Sequence, residues 1–282
     1  MINAIFEEMP EVWAGFFKDG FFGYGEKGDF QFFSLAHLIP VFLLIVAVIL
    51  TYVFRNIIRY LKHEKVIRFV LACAMLLVEL GYFWRLTYVG PGTTEYRTLL
   101  TKLPIQVCEW TCIFGALMVL SESKHLFDID VFVCLTLGAV PLVIPTVILD
   151  CGPAYFRYYQ FWGEHILPIY SVFYMMFVKG FKFDYKKVYK PLVYLAIICV
   201  LSVIANEAFA EYGANYLYLR RIGVDSIDSI LPSNQFLRLV IYAPIVLILF
   251  GLETLIFALV RMKGRSKKRE DPTASFPPLG NS

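Results

Sequence analysis

Charge is scarce in this chain. Asp, Glu, Lys and Arg make up 17% of its 282 residues while 59% are hydrophobic, a balance that excludes an ordinary soluble domain. The sequence holds no Gly-rich phosphate loop, no GxSxG turn and no metal-ligand spacing, so nucleotide-binding P-loops, serine-elbow hydrolases and zinc sites find no support and no cofactor is expected. It has no internal repeat, which removes support for an inverted-repeat transporter. The last apolar run contains no lysine to form a Schiff base, so a rhodopsin-like reading fails. Six cysteines, at 73, 108, 112, 134, 151 and 199, fall mostly inside apolar runs and outline no disulfide framework. The first 33 residues have neither a basic n-region nor a clean apolar core and do not read as a signal peptide.

What is present is hydrophobic sequence in membrane-length pieces. Apolar runs near 36–57, 66–89, 103–121, 129–149, 162–181, 188–209 and 236–261 are each about the length of a membrane-crossing helix. The expected architecture is all-α and polytopic, with seven transmembrane helices. Of the 26 Lys and Arg, 17 fall in the loops after the first, third and fifth runs and in the C-terminal tail. Basic residues are retained in the cytoplasm, so the N-terminus is expected outside and the C-terminus inside. The net charge of +3 follows from that excess and points to topology and anionic lipid, with no nucleic-acid partner. The organisation expected is an external interfacial segment over 1–33, a seven-helix domain over 34–262 and a disordered basic tail over 263–282. In the first of these, Ile5, Phe6, Met9, Trp13, Phe16, Phe17, Phe21 and Phe22 read as an aromatic anchor on the outer interface, or as a lid over a site on that side.

The third run opens as LPIQVCEWTC, placing Cys108 and Glu109 about a turn and a half inside its start. An acid in a membrane helix needs a partner, water or a proton. With the expected topology Cys108 lies roughly 8 Å below the outer edge, at 1.5 Å per residue. His165 in QFWGEHILPIY, Asn206 in SVIANEAFAEYG and His37 fall at similar depth on three other runs. A thiol beside an imidazole that takes its proton is an activated nucleophile, so Cys108 with His165 can carry acyl transfer through a thioester. The plain alternative is that cysteine in an apolar helix is an inert small hydrophobe, and Cys112, one turn deeper, keeps that reading. Glu79, near the middle of the second run, must be buried, paired or protonated. Glu109 and Glu164 are expected near the interface, within reach of water.

The runs FSLAHLIPVFLL, LPIQVCEW, LGAVPLVIPTVILDCGPAYFRYYQFWGEH and ANEAFAEYGANYLYL, in that order, resemble the YwaF-like integral membrane family, whose animal relative is transmembrane protein 164. Leu103, Pro104, Cys108 and His165 occupy the places of its signature, and Gly213 with Asn215 and Tyr216 match its last external loop. The chain is similar in length to the bacterial branch, and it differs from the usual pattern at Gly163 and Glu164. The resemblance implies a cysteine-dependent acyltransferase of membrane phospholipids or lysophospholipids in the cell membrane, a bacterial plasma membrane by length, with Cys108 as nucleophile and His165 as base. Asn206, Glu79, His37, Asn215 and Tyr216 are the candidates for orienting the histidine or holding an oxyanion. A lipid hydrolase using the same pair, and a non-enzymatic lipid-binding or transport protein, remain open.

Overall fold

The computed structural model describes residues 20–23, 30–88, 103–145, 148, 151–222 and 225–270. The described residues are all-helical, without strands, and hold seven helices of twelve residues or more. These are α1 (Leu35–Arg59), α2 (Glu64–Tyr88), α3 (Val107–Ser121), α4 (Lys124–Leu135), α5 (Phe156–Phe177), α6 (Tyr189–Ala208) and α7 (Gln235–Glu270). Each falls on one of the seven apolar runs, but four boundaries move for identifiable reasons. The fourth helix begins at Lys124, capped by Ser123, whose hydroxyl accepts the Leu126 N–H. It stops at Leu135, and a separate turn, Val140–Val143, carries Pro141 at its start. Four residues that include Gly138 interrupt the expected continuous span. The fifth helix starts six residues early, because FRYYQ is aromatic and polar enough to escape a hydropathy reading yet helical throughout. The third starts at Val107 rather than 103, and α7 continues through Glu270, past the expected boundary at 262. Residues 271–282, and Ile5, Phe6, Met9, Trp13, Phe16 and Phe17 of the interfacial segment, lie outside the described residues.

Among the described residues four segments are long and apolar enough to cross a membrane: Leu35–Arg59, Lys124–Val143, Tyr185–Ala208 and Gln235–Val260. The other three long helices, α2, α3 and α5, are shorter or more polar, and they pack most extensively on one another. The physical reason is the same for both facts. A helix wrapped by protein need not satisfy lipid, so its inward face can carry carboxylates, imidazole and thiol. The close approach of the three depends on small residues. A Cβ on Gly115 of α3 would lie 3.0 Å from Met75 Sδ and 3.3 Å from Ser171 Oγ, and one on Gly163 of α5 would lie 2.9 Å from Val78 Cγ2. Around this core α4 packs on α3 and α5, α1 on α5, and α6 on α4. Helices α1 and α7 turn most of their surface outward.

Ion pairs tie the core at one end. Arg68 pairs with Glu64 at 2.9 Å and Glu122 at 2.8 Å and donates to the Val119 carbonyl at 2.7 Å, while Tyr174 donates to Glu64. Partial burial pushes Glu122 up, but the Lys179 hydrogen bond and the Arg68 charge outweigh it and hold this carboxyl below its ordinary range. Arg59 closes the last turn of α5 by donating to the Val178 and Phe177 carbonyls.

Candidate functional site

The opposite end of the core carries the site. Cys108 is the second residue of α3, and its neighbour Glu109 has a local task. The Gln106 N–H donates to Glu109 Oε2 at 2.7 Å, which makes Glu109 the third-position acid of a capping box. The carboxylate beside the cysteine therefore starts the helix. It is 5% exposed, as is Glu164, so neither meets bulk water as the sequence led one to expect.

Register between α3 and α5 is set by Cys112, whose thiol donates to the Glu164 carbonyl at 3.3 Å. Cys108 lies one turn earlier on the same face, and its thiol is in electrostatic contact with the Glu164 carboxylate. Behind Glu164 stands a chain of polar side chains along one face of α5. Gln160 Nε2 donates to Glu164 Oε2 at 2.9 Å, Arg157 donates to Gln160 Oε1, and Arg157 Nη1 lies 3.6 Å from Glu164 Oε2. The guanidinium sits over the Tyr82 ring of α2, 4.5 Å from its centroid. Glu79, three residues before Tyr82 on α2, is in electrostatic contact with Glu164 and Arg157. Both of its oxygens are buried without a hydrogen-bond partner among the described residues.

His165 is buried on α5 immediately after Glu164, with its ring 4.5 Å from that of Phe161. Its Nδ1 is buried and has no hydrogen-bond partner among the described residues. Glu164 is thus the group in contact with the thiol, and the imidazole follows it in the chain.

The remaining sequence candidates build the surroundings. His37 accepts the Phe33 N–H on Nδ1 and donates from Nε2 to the Leu142 carbonyl at 2.8 Å, so both ring nitrogens join α1 to the turn after α4. Asn206 is fully buried; its Oδ1 accepts the Tyr216 N–H at 2.6 Å and its Nδ2 donates to the Tyr216 carbonyl at 3.2 Å. Tyr216 OH in turn accepts the Leu103 N–H at 2.7 Å, ahead of the Cys108 helix. Asn215 accepts the Arg220 and Arg221 N–H groups and shapes the same loop.

That loop has a feature no sequence pattern announced. Leu217 and Tyr218 both take left-handed backbone, at φ 54° and 53°, a strained pair for side chains of this size. Gln106 holds it by accepting the Leu217 N–H at 2.9 Å. Arg238, 2% exposed, holds it by donating to the Tyr218 carbonyl at 3.2 Å and pairing with Asp228 at 3.1 Å. Tyr218 is 40% exposed on this loop and in electrostatic contact with Cys108 and Arg157. Burial first, and the Cys108 side chain next, push its phenol above the ordinary tyrosine value, so it stays protonated as a hydrogen-bond donor. Over the start of α5, the Phe156 N–H donates to the Phe21 carbonyl at 2.7 Å, and the Phe21 and Phe22 rings pack on Phe156. Among the described residues no three of His, Cys, Asp and Glu gather as a metal set.

The profile of the TMEM164 family matches residues 32–260, which spans every helix of the core and the loop over Cys108. The chain belongs to the TMEM164 family. No curated protein and no solved structure matches it. Family membership and the apolar helices together make it an integral membrane protein. In this TMEM164-family chain Arg157, Gln160 and Glu164 were the missed residues of the site. Their spacing of three and four puts them on one helix face, a signal readable only once α5 is known to begin before residue 157.

Proposed function

We propose that this protein transfers acyl chains between membrane phospholipids through an acyl thioester on Cys108. The observation that supports the reading is a half-buried thiol in electrostatic contact with the buried Glu164 carboxylate, with the buried His165 next to Glu164 in the chain. All seven helices span the membrane, with the N-terminus outside, and the site opens toward the outer leaflet. An impermeant thiol reagent applied to intact cells then leaves Ser282→Cys unlabelled; labelling there reverses the orientation.

In the first half-reaction Cys108 Sγ attacks the ester carbonyl carbon of a donor lipid. The thiol proton passes by way of Glu164 to His165. The tetrahedral adduct collapses by breaking the bond to the glycerol oxygen, which leaves with the proton from His165. In the second, a lysolipid hydroxyl attacks the thioester carbonyl, gives its proton to His165, and the Cys108 thiolate leaves and is reprotonated. Acyl-CoA is cytoplasmic, so a site on the outer side favours another phospholipid as donor. A hydrolase differs only in that water takes the place of the lysolipid.

The thiol chemistry is testable without substrate. A neutral, membrane-permeant electrophile labels Cys108 ahead of Cys112, which follows from exposure alone because Cys112 is fully buried. The decisive comparison is His165→Ala. Loss of the proton acceptor lowers the thiolate fraction, so labelling at Cys108 slows by about tenfold while Cys112 is unchanged. Labelling of Cys108 indifferent to His165 removes the histidine from the mechanism.

A further inference from the structure

The end of the core opposite Cys108 carries a cavity of about 470 Å³ between α2 and α3, lined by Lys65, Val66, Arg68, Phe69, Leu120 and Glu122. Arg68, 4% exposed, directs its guanidinium to Glu64, to Glu122 at 2.8 Å and to the Val119 carbonyl. Lys179 lies 3.0 Å from the other Glu122 oxygen and 3.7 Å from Glu64. Two carboxylates thus balance two cations. Lys65 is left over: it is exposed at the cavity and makes no hydrogen bond or ion pair among the described residues. The cavity therefore holds one uncompensated positive charge, on a flexible side chain that lines it.

The other wall is apolar and faces outward. Val66, Phe69 and Leu120 are all exposed, and the outer face of α2 continues from them through Val70, Leu77 and Leu80, also exposed. From Val66 to Leu80 is roughly 21 Å at 1.5 Å per residue, more than half of a hydrocarbon core of about 30 Å. In an integral membrane protein such a face meets lipid tails, so the cavity sits where a headgroup lies at the end of its own acyl chain.

We infer that this cavity binds one phospholipid of net negative charge, with its phosphodiester on Lys65 and an acyl chain along α2. The charges select the lipid. A phosphate monoanion matches the single free lysine, and the hydroxyls of a glycerol headgroup can donate to the Glu122 carboxylate, which is 39% exposed. A zwitterionic headgroup brings an ammonium that finds no free acid here, because Glu64 and Glu122 already hold Arg68 and Lys179. Basic recesses between membrane helices suit anionic headgroups for the same reason. The site is separate from Cys108 and stands whether or not acyl transfer is the activity.

The test measures binding of dioleoyl phosphatidylglycerol and dioleoyl phosphatidylcholine, which share their acyl chains, to the full-length protein in detergent by native mass spectrometry. The wild type prefers phosphatidylglycerol by about fivefold or more, the scale of one basic residue against an anionic lipid. Lys65→Gln removes that preference and leaves phosphatidylcholine binding unchanged, a result that also shows the variant is folded. Lys182→Gln, at an exposed lysine of the same end outside the cavity, keeps the preference. Leu120→Trp, which fills the cavity and leaves every charge in place, weakens phosphatidylglycerol by about the same factor as Lys65→Gln. No preference in the wild type, or phosphatidylglycerol binding undisturbed by Leu120→Trp, overturns the site. Equal losses in Lys65→Gln and Lys182→Gln also overturn it, since the selectivity then belongs to diffuse surface charge. So does inorganic phosphate bound as tightly as phosphatidylglycerol, because the apolar wall then contributes nothing.

Discussion

Cys108→Ser abolishes the hydroxylamine-sensitive acyl adduct and lowers transfer from a labelled phospholipid to a lysolipid by at least about a thousandfold, the scale of losing a covalent nucleophile. The expectation is sharp because the substitution changes little else. Serine is close to cysteine in size, the position is half-buried, and Glu109 still closes the capping box with Gln106. The fold should therefore survive with an unchanged melting temperature. What is lost is the thiolate, since a serine hydroxyl ionises far less readily than a thiol and is the weaker nucleophile with the same base. The label also separates the rival reactions: acylated acceptor marks a transferase, free fatty acid a hydrolase. Undiminished lipid turnover in Cys108→Ser removes Cys108 as the nucleophile, and turnover absent in both proteins with lipid still bound leaves a binding or transport protein.

Asn206→Ala should produce the largest structural effect in the site region. Its amide satisfies both the N–H and the carbonyl of Tyr216 from a fully buried position. Truncation leaves the N–H without that partner, at about 1–3 kcal/mol for a buried orphan, and the carbonyl with only the Leu219 N–H. It also frees the chain just before Leu217 and Tyr218, whose left-handed backbone stores further strain that the Asn206 amide resists. A loss of about 2–4 kcal/mol is expected. Thermal unfolding in detergent should shift down, protease should cut within residues 210–222, and lipid transfer should fall with the displaced Tyr218. Tyr216→Phe removes the acceptor for the Leu103 N–H and should cost about 1 kcal/mol or more. If Asn206→Ala melts with the wild type and resists cleavage, the loop is held by Gln106 and Arg238 instead.

Much of the fold was legible in the chain. Seven apolar runs locate seven helices, because a helix in or near lipid needs a long uninterrupted supply of apolar side chains. The errors fell where that signal is weakest. Helix α5 begins with FRYYQ, whose backbone is helical but whose residues look like a loop to hydropathy, and so Arg157 and Gln160 were set outside the membrane region and outside the site. The fourth span was drawn as continuous although Gly138 and Pro141 divide it. Cys108 and His165 stood out because a thiol and an imidazole are rare in such runs.

By itself, then, the sequence determined that this is a helical membrane protein, how many long helices it has, and which residue types are available for chemistry, since composition and period along one chain decide these. Tertiary structure alone decided who faces whom. Glu109 turned inward to cap its own helix, His37 was spent joining α1 to Leu142, and Glu164 came against Cys108 because Cys112 and the glycines at 115 and 163 set how closely α3, α2 and α5 approach. Rotation and register between packed helices depend on side chains of several segments at once, and no single stretch of sequence carries them.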